Sequence, residues 1–149
     1  CLMARDRGGP RMSSQLLLAP MLDDRNDSIS AQQYPRGMWN RQENELGWRS
    51  LLGDLHGSEE VPYFAAPARC EDLSGLPPAF VDVGSAEVFR DEAVDFASRI
   101  WAAGGQAELH VWSGGFHGFQ TFEHTALARA SSGVVRSWMN RTLSRTSRA

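Results

Sequence analysis

Glu87 and His117 are the two residues whose types and positions could support catalysis. Glu87 ends the segment Gly-Ser-Ala-Glu at positions 84–87, and His117 lies in the segment Phe-His-Gly-Phe at positions 116–119. A histidine can exchange a proton near neutral pH, and a neighbouring carboxylate can fix the ring tautomer that lets the other nitrogen act as a base. We therefore predict that Glu87 and His117 form the carboxylate–histidine half of a catalytic triad.

The other acidic and basic candidates have simpler local interpretations. Three further histidines are interpreted as surface or packing residues: His56, His110 and His124. Four further carboxylates have structural explanations: Asp23 and Asp24 as turn residues, Asp91 and Glu92 as charges in a first helical turn, where the helix dipole favours anions. Glu87 and His117 are thus left as the predicted pair.

Three short apolar segments predict the strands that would position this pair. They are Gln15–Ala19, expected to be buried on both faces, Ala79–Val83 and Ala107–Trp112. Helices are predicted over 1–8, 41–52, 90–103 and 122–143, with a further short helix capped by Ser28 or Ser30. A strand–helix–strand order with a helix of this length predicts a parallel sheet, so the expected fold class is α/β with flanking helices.

The loops that leave these strands should lie at one edge of the sheet. Ligands of an open parallel sheet bind beyond the carboxyl ends of its strands. Segments 20–24, 84–87 and 113–119 would all lie there, and neighbouring strands are only about 5 Å apart. We therefore expect the carboxylate of Glu87 to reach the imidazole of His117.

Several motifs occur in the order that one family shows. They are Leu76-Pro-Pro78, the loop 84–92, Phe116-His-Gly-Phe119, the strand 15–20 followed by Met21-Leu-Asp-Asp24, and Ala65-Ala-Pro67. Together they resemble the C-terminal half of the α/β-hydrolase fold, in the group of hormone-sensitive-lipase-like esterases. The resemblance covers nearly all of 1–149. It departs at Glu87-Val88, where the family more often has aspartate and proline, and at Ser113-Gly-Gly115, where it often has a proline–glycine turn.

The resemblance implies specific roles along the chain. Glu87 would be the acid and His117 the base of a Ser-Glu-His triad, and the segment 22–57, inserted after the first strand, would be a cap that shapes an acyl pocket. The expected pocket residues are Trp39, Val88 and Phe119. Met38 and Trp48 are further candidates, although aromatic residues in such a segment serve as often for plain packing. The implied substrate is a small acyl ester, and no metal or other cofactor is implied.

The nucleophile of such a triad is absent from the sequence. The fold places its serine in a Gly-x-Ser-x-Gly turn before the acid and the histidine, and no such pentapeptide occurs here. We expect the serine upstream of Cys1, and hence a fragment of a carboxylic-ester hydrolase that is inactive alone. The alternatives are an inactive hydrolase half that acts only by binding or association, and another reaction of the fold, such as amide or peptide hydrolysis or dehalogenation by an aspartate.

The charge and composition of the chain restrict its expected binding partners and location. The net charge of −3 gives no reason to expect nucleic acid, and no apolar run approaches the roughly 20 residues that span a bilayer. Cys1 and Cys70 fit no metal or redox spacing, and no signal peptide is recognisable, so we expect a cytoplasmic protein. The edge of strand Gln15–Ala19 would be exposed in a half-sheet, which makes a homo-oligomer possible.

Overall fold

A computed structural model describes residues 1–33 and 37–146, and within them the chain forms a three-stranded parallel sheet with helices on both faces. The elements in chain order are α1 (Leu2–Asp6), β1 (Gln15–Leu18), α2 (Ile29–Gln33), α3 (Arg41–Leu52), β2 (Ala79–Gly84), α4 (Arg90–Ala102), β3 (Ala107–Trp112) and α5 (Ala126–Thr146). Short 3-10 turns lie at Gly53–Leu55, Pro67–Arg69 and Phe119–Thr121. The predicted α/β class is confirmed. None of the helices in this described part of the chain is long and apolar enough to cross a membrane.

The three strands run side by side in the order β1-β2-β3. In one row of the register Leu18 of β1 lies beside Asp82 of β2, which lies beside His110 of β3. Because all pairs are parallel, the carboxyl ends of the strands meet at one edge of the sheet. The loops after β2 and β3 therefore start side by side, as expected.

The strand β2 is buried along its whole length, and its side chains alternate between two layers. Val81 and Val83 belong to the core that α4 covers. Phe80 and Asp82 face the other layer, where Trp138 packs on Phe80 and α5 approaches. Each large apolar side chain buried in this way stabilises the fold by about 1.5–3 kcal/mol. The central strand β2 is thus enclosed between α4 and α5.

The helix α4 forms for the reason that its sequence suggested. Ala93, Phe96, Ala97 and Ile100 recur at helical spacing and are all buried against the sheet. The same helical spacing includes Trp101, but its side chain is 46% exposed. Its indole Nε1 donates instead to the carbonyl of Ala107, so the ring lies across the start of β3.

The prediction that β1 is buried on both faces is wrong. Leu16 and Leu18 are 39% and 49% exposed, whereas Leu17 between them packs against the core. The physical reason is that β1 is the edge strand of the described sheet. The helix α5 does not extend far enough across this face of the sheet to cover Leu16 and Leu18.

The last helix also differs from its prediction. It begins at Ala126, after a 3-10 turn, and its buried residues as far as Ser144 are Ala128, Ser131 and Trp138. Ala130 is exposed, although it has the helical spacing of a buried apolar face with Leu127, Val134 and Trp138. A search for apolar spacing passes over a serine, yet Ser131 is buried because its hydroxyl donates to Asp82.

The excursion between β1 and β2 contains two helices with defined caps. The hydroxyl of Ser28 accepts the amide of Ala31 at the start of α2, as predicted. The helix α3 has the predicted bounds and begins with a capping box between Asn40 and Glu43. Leu46 of α3 is apolar, but its side chain is 64% exposed and does not anchor the helix. The cap predicted over 22–57 includes residues 34–36, which lie outside the described residues, and its function stays a prediction.

Candidate active site

The side chains of Glu87 and His117 are hydrogen-bonded. The distance from His117 Nδ1 to Glu87 Oε2 is 2.8 Å. Glu87 is 1% exposed, and its other oxygen, Oε1, accepts the backbone N–H of Gly84 at 2.7 Å. A carboxylate that is fixed at both oxygens orients the imidazole and holds the proton on Nδ1, which leaves Nε2 free to act as a base.

Close backbone contact between two glycines brings the loops of this pair together. A Cβ atom built on Gly84 would lie 2.1 Å from the carbonyl oxygen of Gly115. Next to this contact, the amide of Ala86 donates to the same carbonyl at 2.8 Å, and the amide of Ser85 donates to the carbonyl of Trp112 at 2.8 Å. Sequence reasoning treated these glycines only as loop residues and missed that the contact excludes a side chain at position 84.

Two aromatic rings surround the imidazole of His117. Phe89 meets it edge-on with ring centroids 5.3 Å apart, and Trp39 lies 5.9 Å away at a tilt. The side chain of His117 is 30% exposed. Its Nε2 atom has no hydrogen-bond partner among residues 1–33 and 37–146. The imidazole is therefore packed between two aromatic rings, and its Nε2 atom makes no hydrogen bond within those residues.

The three predicted pocket residues lie in different surroundings. Trp39 reaches His117 from the excursion before α3, and its Nε1 points to Asn44 Oδ1 at 3.5 Å. Val88 and Phe119 are 1% and 2% exposed, so both are core residues next to the pair. Contact of these three residues with a substrate stays a prediction. Trp48, the alternative aromatic candidate, belongs to a separate buried cluster under α3.

Glu92 has a role that sequence reasoning missed. It does lie in the first turn of α4, but its carboxyl group is buried and accepts the backbone N–H groups of Leu22 and Asp23 at 3.0 and 3.2 Å. Burial raises the pKa of Glu92 to about 8, the negative charges of Asp23 and Glu87 add to this, and the two N–H donors act in the opposite direction. Glu92 thus ties the segment that leaves β1 to α4. The sequence shows only two adjacent acidic residues at the start of a helix, which does not indicate that one of them is buried and bonded to a distant backbone segment.

Asp91, its neighbour, connects α4 to α2 of the excursion. Its Oδ2 atom accepts the backbone N–H of Ser30 at 2.8 Å, and the hydroxyl of Ser30 donates to the carbonyl of Val88 at 2.7 Å. Burial acts to raise the pKa of Asp91, but the ion pair with Arg90 and the hydrogen bonds from Ser30 to the Asp91 carboxylate outweigh it and lower the pKa. The segment that follows Glu87 is therefore fastened to the inserted helix.

The remaining histidines and cavities lie elsewhere. His110 stacks between Phe80 and Trp112 on the α5 layer, and His56 lies beside Glu45 of α3. A cleft lined by parts of 1–13 and 75–78 opens at the amino ends of the strands, opposite to the edge with Glu87 and His117. Within the two described ranges, no cluster of three or more His, Cys, Asp or Glu residues could hold a metal ion.

Comparison with known proteins gives consistent matches. The family model that matches residues 1–121 is described as alpha/beta hydrolase fold. The carboxylesterase NlhH of Mycobacterium tuberculosis is 30% identical over 136 residues, which cover 87% of this chain and 41% of the relative. The esterase LipI of the same species is 30% identical over 125 residues, covering 78% of this chain and 36% of the relative. The chain therefore spans about two fifths of the length of these curated relatives.

Solved structures agree with the sequence matches. A bacterial heroin esterase superposes with a TM-score of 0.92 at 32% identity, covering 95% of this chain and 46% of that structure. The esterase LipW from Mycobacterium marinum superposes with a TM-score of 0.77 at 30% identity, covering 87% and 40%. An esterase from the bacterial hormone-sensitive lipase family superposes with a TM-score of 0.79 at 25% identity. The match thus extends over nearly all of this chain and less than half of each of the first two structures.

Proposed function

The chain belongs to the alpha/beta hydrolase fold family, and we propose that it is the C-terminal half of a carboxylic-ester hydrolase. In this proposal Glu87 and His117 are the acid and the base of a Ser-Glu-His triad, and the serine and the oxyanion hole lie outside these 149 residues. The single observation that carries the proposal is the 2.8 Å hydrogen bond from His117 Nδ1 to the buried Glu87. The same ring supports it further, because its Nε2 atom makes no hydrogen bond within the described residues.

The reaction would proceed through an acyl-enzyme. His117 Nε2 takes the proton of the serine hydroxyl as its oxygen attacks the acyl carbon, and the negative charge of Glu87 stabilises the resulting imidazolium. His117 then gives this proton to the oxygen of the leaving alcohol as the ester bond breaks. In the second half, His117 takes a proton from water as the water oxygen attacks the acyl carbon, and it gives this proton to the serine oxygen as the acid is released.

The proposed substrate is a small acyl ester. Trp39, Val88 and Phe119 would form part of the acyl pocket, and the segment 22–57 would be its cap. The ring of Trp39 lies 5.9 Å from that of His117, which supports a contribution of the segment between β1 and β2 to the pocket. Val88 and Phe119 are buried beside the pair, so their part in the pocket would be indirect. They would support the side chains that form its wall.

The proposed function can be tested by supplying the half of the hydrolase that carries the nucleophile. This chain is joined to a nucleophile half, taken from the coding sequence upstream of Cys1 or from the relative NlhH, and hydrolysis of p-nitrophenyl acyl esters is measured. We expect activity that His117→Ala abolishes, and no activity of the 149-residue chain alone. The matched control is His110→Ala, which removes a histidine from the other layer. Activity that survives His117→Ala would refute the proposal, and an aspartate in place of the upstream serine would favour dehalogenation.

A second proposal, that this half associates with itself, rests on an apolar surface. Leu16, Leu18, Met139 and Leu143 are each between 39% and 56% exposed, and Leu18, Met139 and Leu143 line one groove between β1 and α5. We expect dimers or larger species in sedimentation velocity experiments on the chain alone. Leu18→Lys with Leu143→Glu should reduce them, whereas the control Leu46→Glu, at an exposed leucine of α3, should not. Monomers at all concentrations would exclude this proposal.

A cytoplasmic location is also part of the proposal. Its support is the state of the two cysteines, which are free thiols, Cys1 exposed and Cys70 buried. Free thiols persist most readily in reducing compartments. Fluorescent tagging and fractionation of cells that express the full polypeptide would test this location.

A further inference from the structure

Asp82 is a buried carboxylate whose partners in the described part of the chain are all neutral. It lies in β2 on the α5 layer and is 0% exposed. Its Oδ2 atom accepts Trp112 Nε1 at 2.5 Å and the hydroxyl of Ser131 at 3.1 Å, and its Oδ1 atom accepts Gln120 Nε2 at 3.0 Å. Burying a charge without a counter-charge is costly. An apolar side chain would be the ordinary occupant of this position.

The positions of two of these donors suggest what the carboxylate does. Trp112 is the last residue of β3, directly before the loop that carries His117, and Gln120 belongs to the 3-10 turn directly after that loop. One side chain therefore binds both ends of the loop 113–118. The loop contains three glycines, and Gly114 and Gly118 have φ angles of +75° and +80°. Such a backbone has little conformational preference of its own and needs external anchors.

We propose that Asp82 is a positioning residue for His117, which acts by fixing both ends of the histidine loop to strand β2. This inference rests on the proposed catalytic role of His117. The same strand ends at Gly84, whose amide binds Glu87. Both members of the pair are thus held relative to β2. Glu87 is held by its hydrogen bond to the amide of Gly84, and His117 is held through the contacts of Asp82 with its loop.

A carboxylate suits this position better than the neutral alternatives. It accepts several N–H and O–H groups at once, and hydrogen bonds to a charged acceptor are about twice as strong as neutral ones. An asparagine would turn its NH₂ group towards one of the three donors. A valine would fill the space and leave all three donors buried without partners.

The competing explanation is that Asp82 only fastens α5 to the sheet through Ser131. Conservative variants separate the two explanations, because each removes one donor. Trp112→Phe and Gln120→Met remove the donors at the two ends of the loop, and Ser131→Ala removes the donor on α5. If the carboxylate positions His117, only the first two changes should disturb the Glu87–His117 hydrogen bond.

The experiment follows the Nδ1 proton of His117 by NMR in the ¹⁵N-histidine-labelled chain, at one temperature below the unfolding transition of every variant. We expect its exchange with water to be about tenfold faster or more in Trp112→Phe and Gln120→Met, and to change less than about twofold in Ser131→Ala. In the hydrolase completed with a nucleophile half, the two loop-end variants should lower kcat and leave KM unchanged.

Three results would overturn the inference. Unchanged exchange in both loop-end variants would show that the loop needs no anchor at Asp82. Equal acceleration in Ser131→Ala would show a general loss of stability. Failure of both loop-end variants to fold, with Ser131→Ala folded, would make the donors essential to the domain and not to the position of His117. A wild-type chain without a protected Nδ1 proton would instead refute the proposed triad.

Discussion

The backbones of Gly84 and Gly115 are in direct contact, and the carboxylate and the histidine of the candidate site lie on either side of that contact. A Cβ atom on Gly84 would be 2.1 Å from the carbonyl oxygen of Gly115, and one on Gly115 would be 3.1 Å from the Cα of Gly84. The turn that ends β2 can therefore pack on the loop that follows β3 only because position 84 has no side chain, and a side chain at position 115 would also be tight. This contact holds together the two segments whose side chains form the 2.8 Å Glu87–His117 hydrogen bond.

Gly84→Ala should separate the two loops. The added methyl group meets backbone atoms that cannot rotate away, so we expect a loss of roughly 1–3 kcal/mol or more in the free energy of unfolding. The matched control is Gly133→Ala in α5, where a Cβ would meet nothing within 4 Å. There alanine should be neutral or stabilising by up to about 1 kcal/mol, since it has the higher helix propensity. Urea unfolding measures both, and equal effects would argue against the close contact.

Glu87→Gln should remove the charge that orients His117 while keeping the shape of the side chain. In the hydrolase completed with a nucleophile half, we expect kcat to fall by about a thousandfold or more, because an amide does not fix the required tautomer or stabilise the imidazolium. The control is Glu108→Gln, because Glu108 also pairs with a histidine, His110, at 3.1 Å. That pair lies on the α5 layer, so its loss should leave kcat within about twofold. Similar losses in the two variants would contradict the assignment.

Ser30→Ala should loosen the segment that follows Glu87. It removes the hydroxyl that donates to the carbonyl of Val88 and accepts the amide of Asp91, and it leaves both groups without that partner. Ser28→Ala is the comparison variant, since Ser28 caps the same helix and its hydroxyl lies 3.2 Å from that of Ser30, whereas the bonds to Val88 and Asp91 are made by Ser30. Each change should cost about 1 kcal/mol. Hydrogen exchange distinguishes them, because only Ser30→Ala should accelerate the amide of Asp91. Faster exchange of the Asp91 amide in both variants would mean that α2 as a whole detaches from α4.

Glu92 should make the stability of the chain depend on pH. Its pKa is about 8 in the folded chain, compared with 4.5 for an unperturbed glutamate. Between these values the folded state keeps a proton that the unfolded state has released. The free energy of unfolding should therefore decrease as pH rises through this range, by at most about 1.4 kcal/mol per pH unit. The contribution is complete below the lower value and lost above the upper one.

Glu92→Gln tests this dependence, since the amide cannot titrate. Urea unfolding at several pH values between about 5 and 8 should show a flatter profile for Glu92→Gln than for the wild type. Glu60→Gln is the control, because Glu60 is exposed and its loss should leave the profile unchanged. A slope that persists in Glu92→Gln would assign the dependence to another group.

Local patterns in the sequence were sufficient to predict most of the elements and the proximity of Glu87 to His117. The strands Ala79–Gly84 and Ala107–Trp112 and the helices α3 and α4 could be predicted because apolar spacing, caps and glycine stops act over a few residues. Glu87 and His117 could be paired because a strand–helix–strand unit is parallel, which brings the ends of its strands to one edge. Their proximity thus followed from chain order alone.

The tertiary structure decided the features that depend on partners far away in the chain. Asp82, Glu92 and Ser30 are polar residues in unremarkable local contexts, and their burial becomes visible only with their donors and acceptors 30 to 70 residues away. The exposure of Leu16 and Leu18 likewise depends on what lies beside β1, which no pattern within the strand contains. A short sequence segment specifies its own backbone geometry, whereas the hydrogen bonds of a buried polar group are completed only when the whole domain has packed.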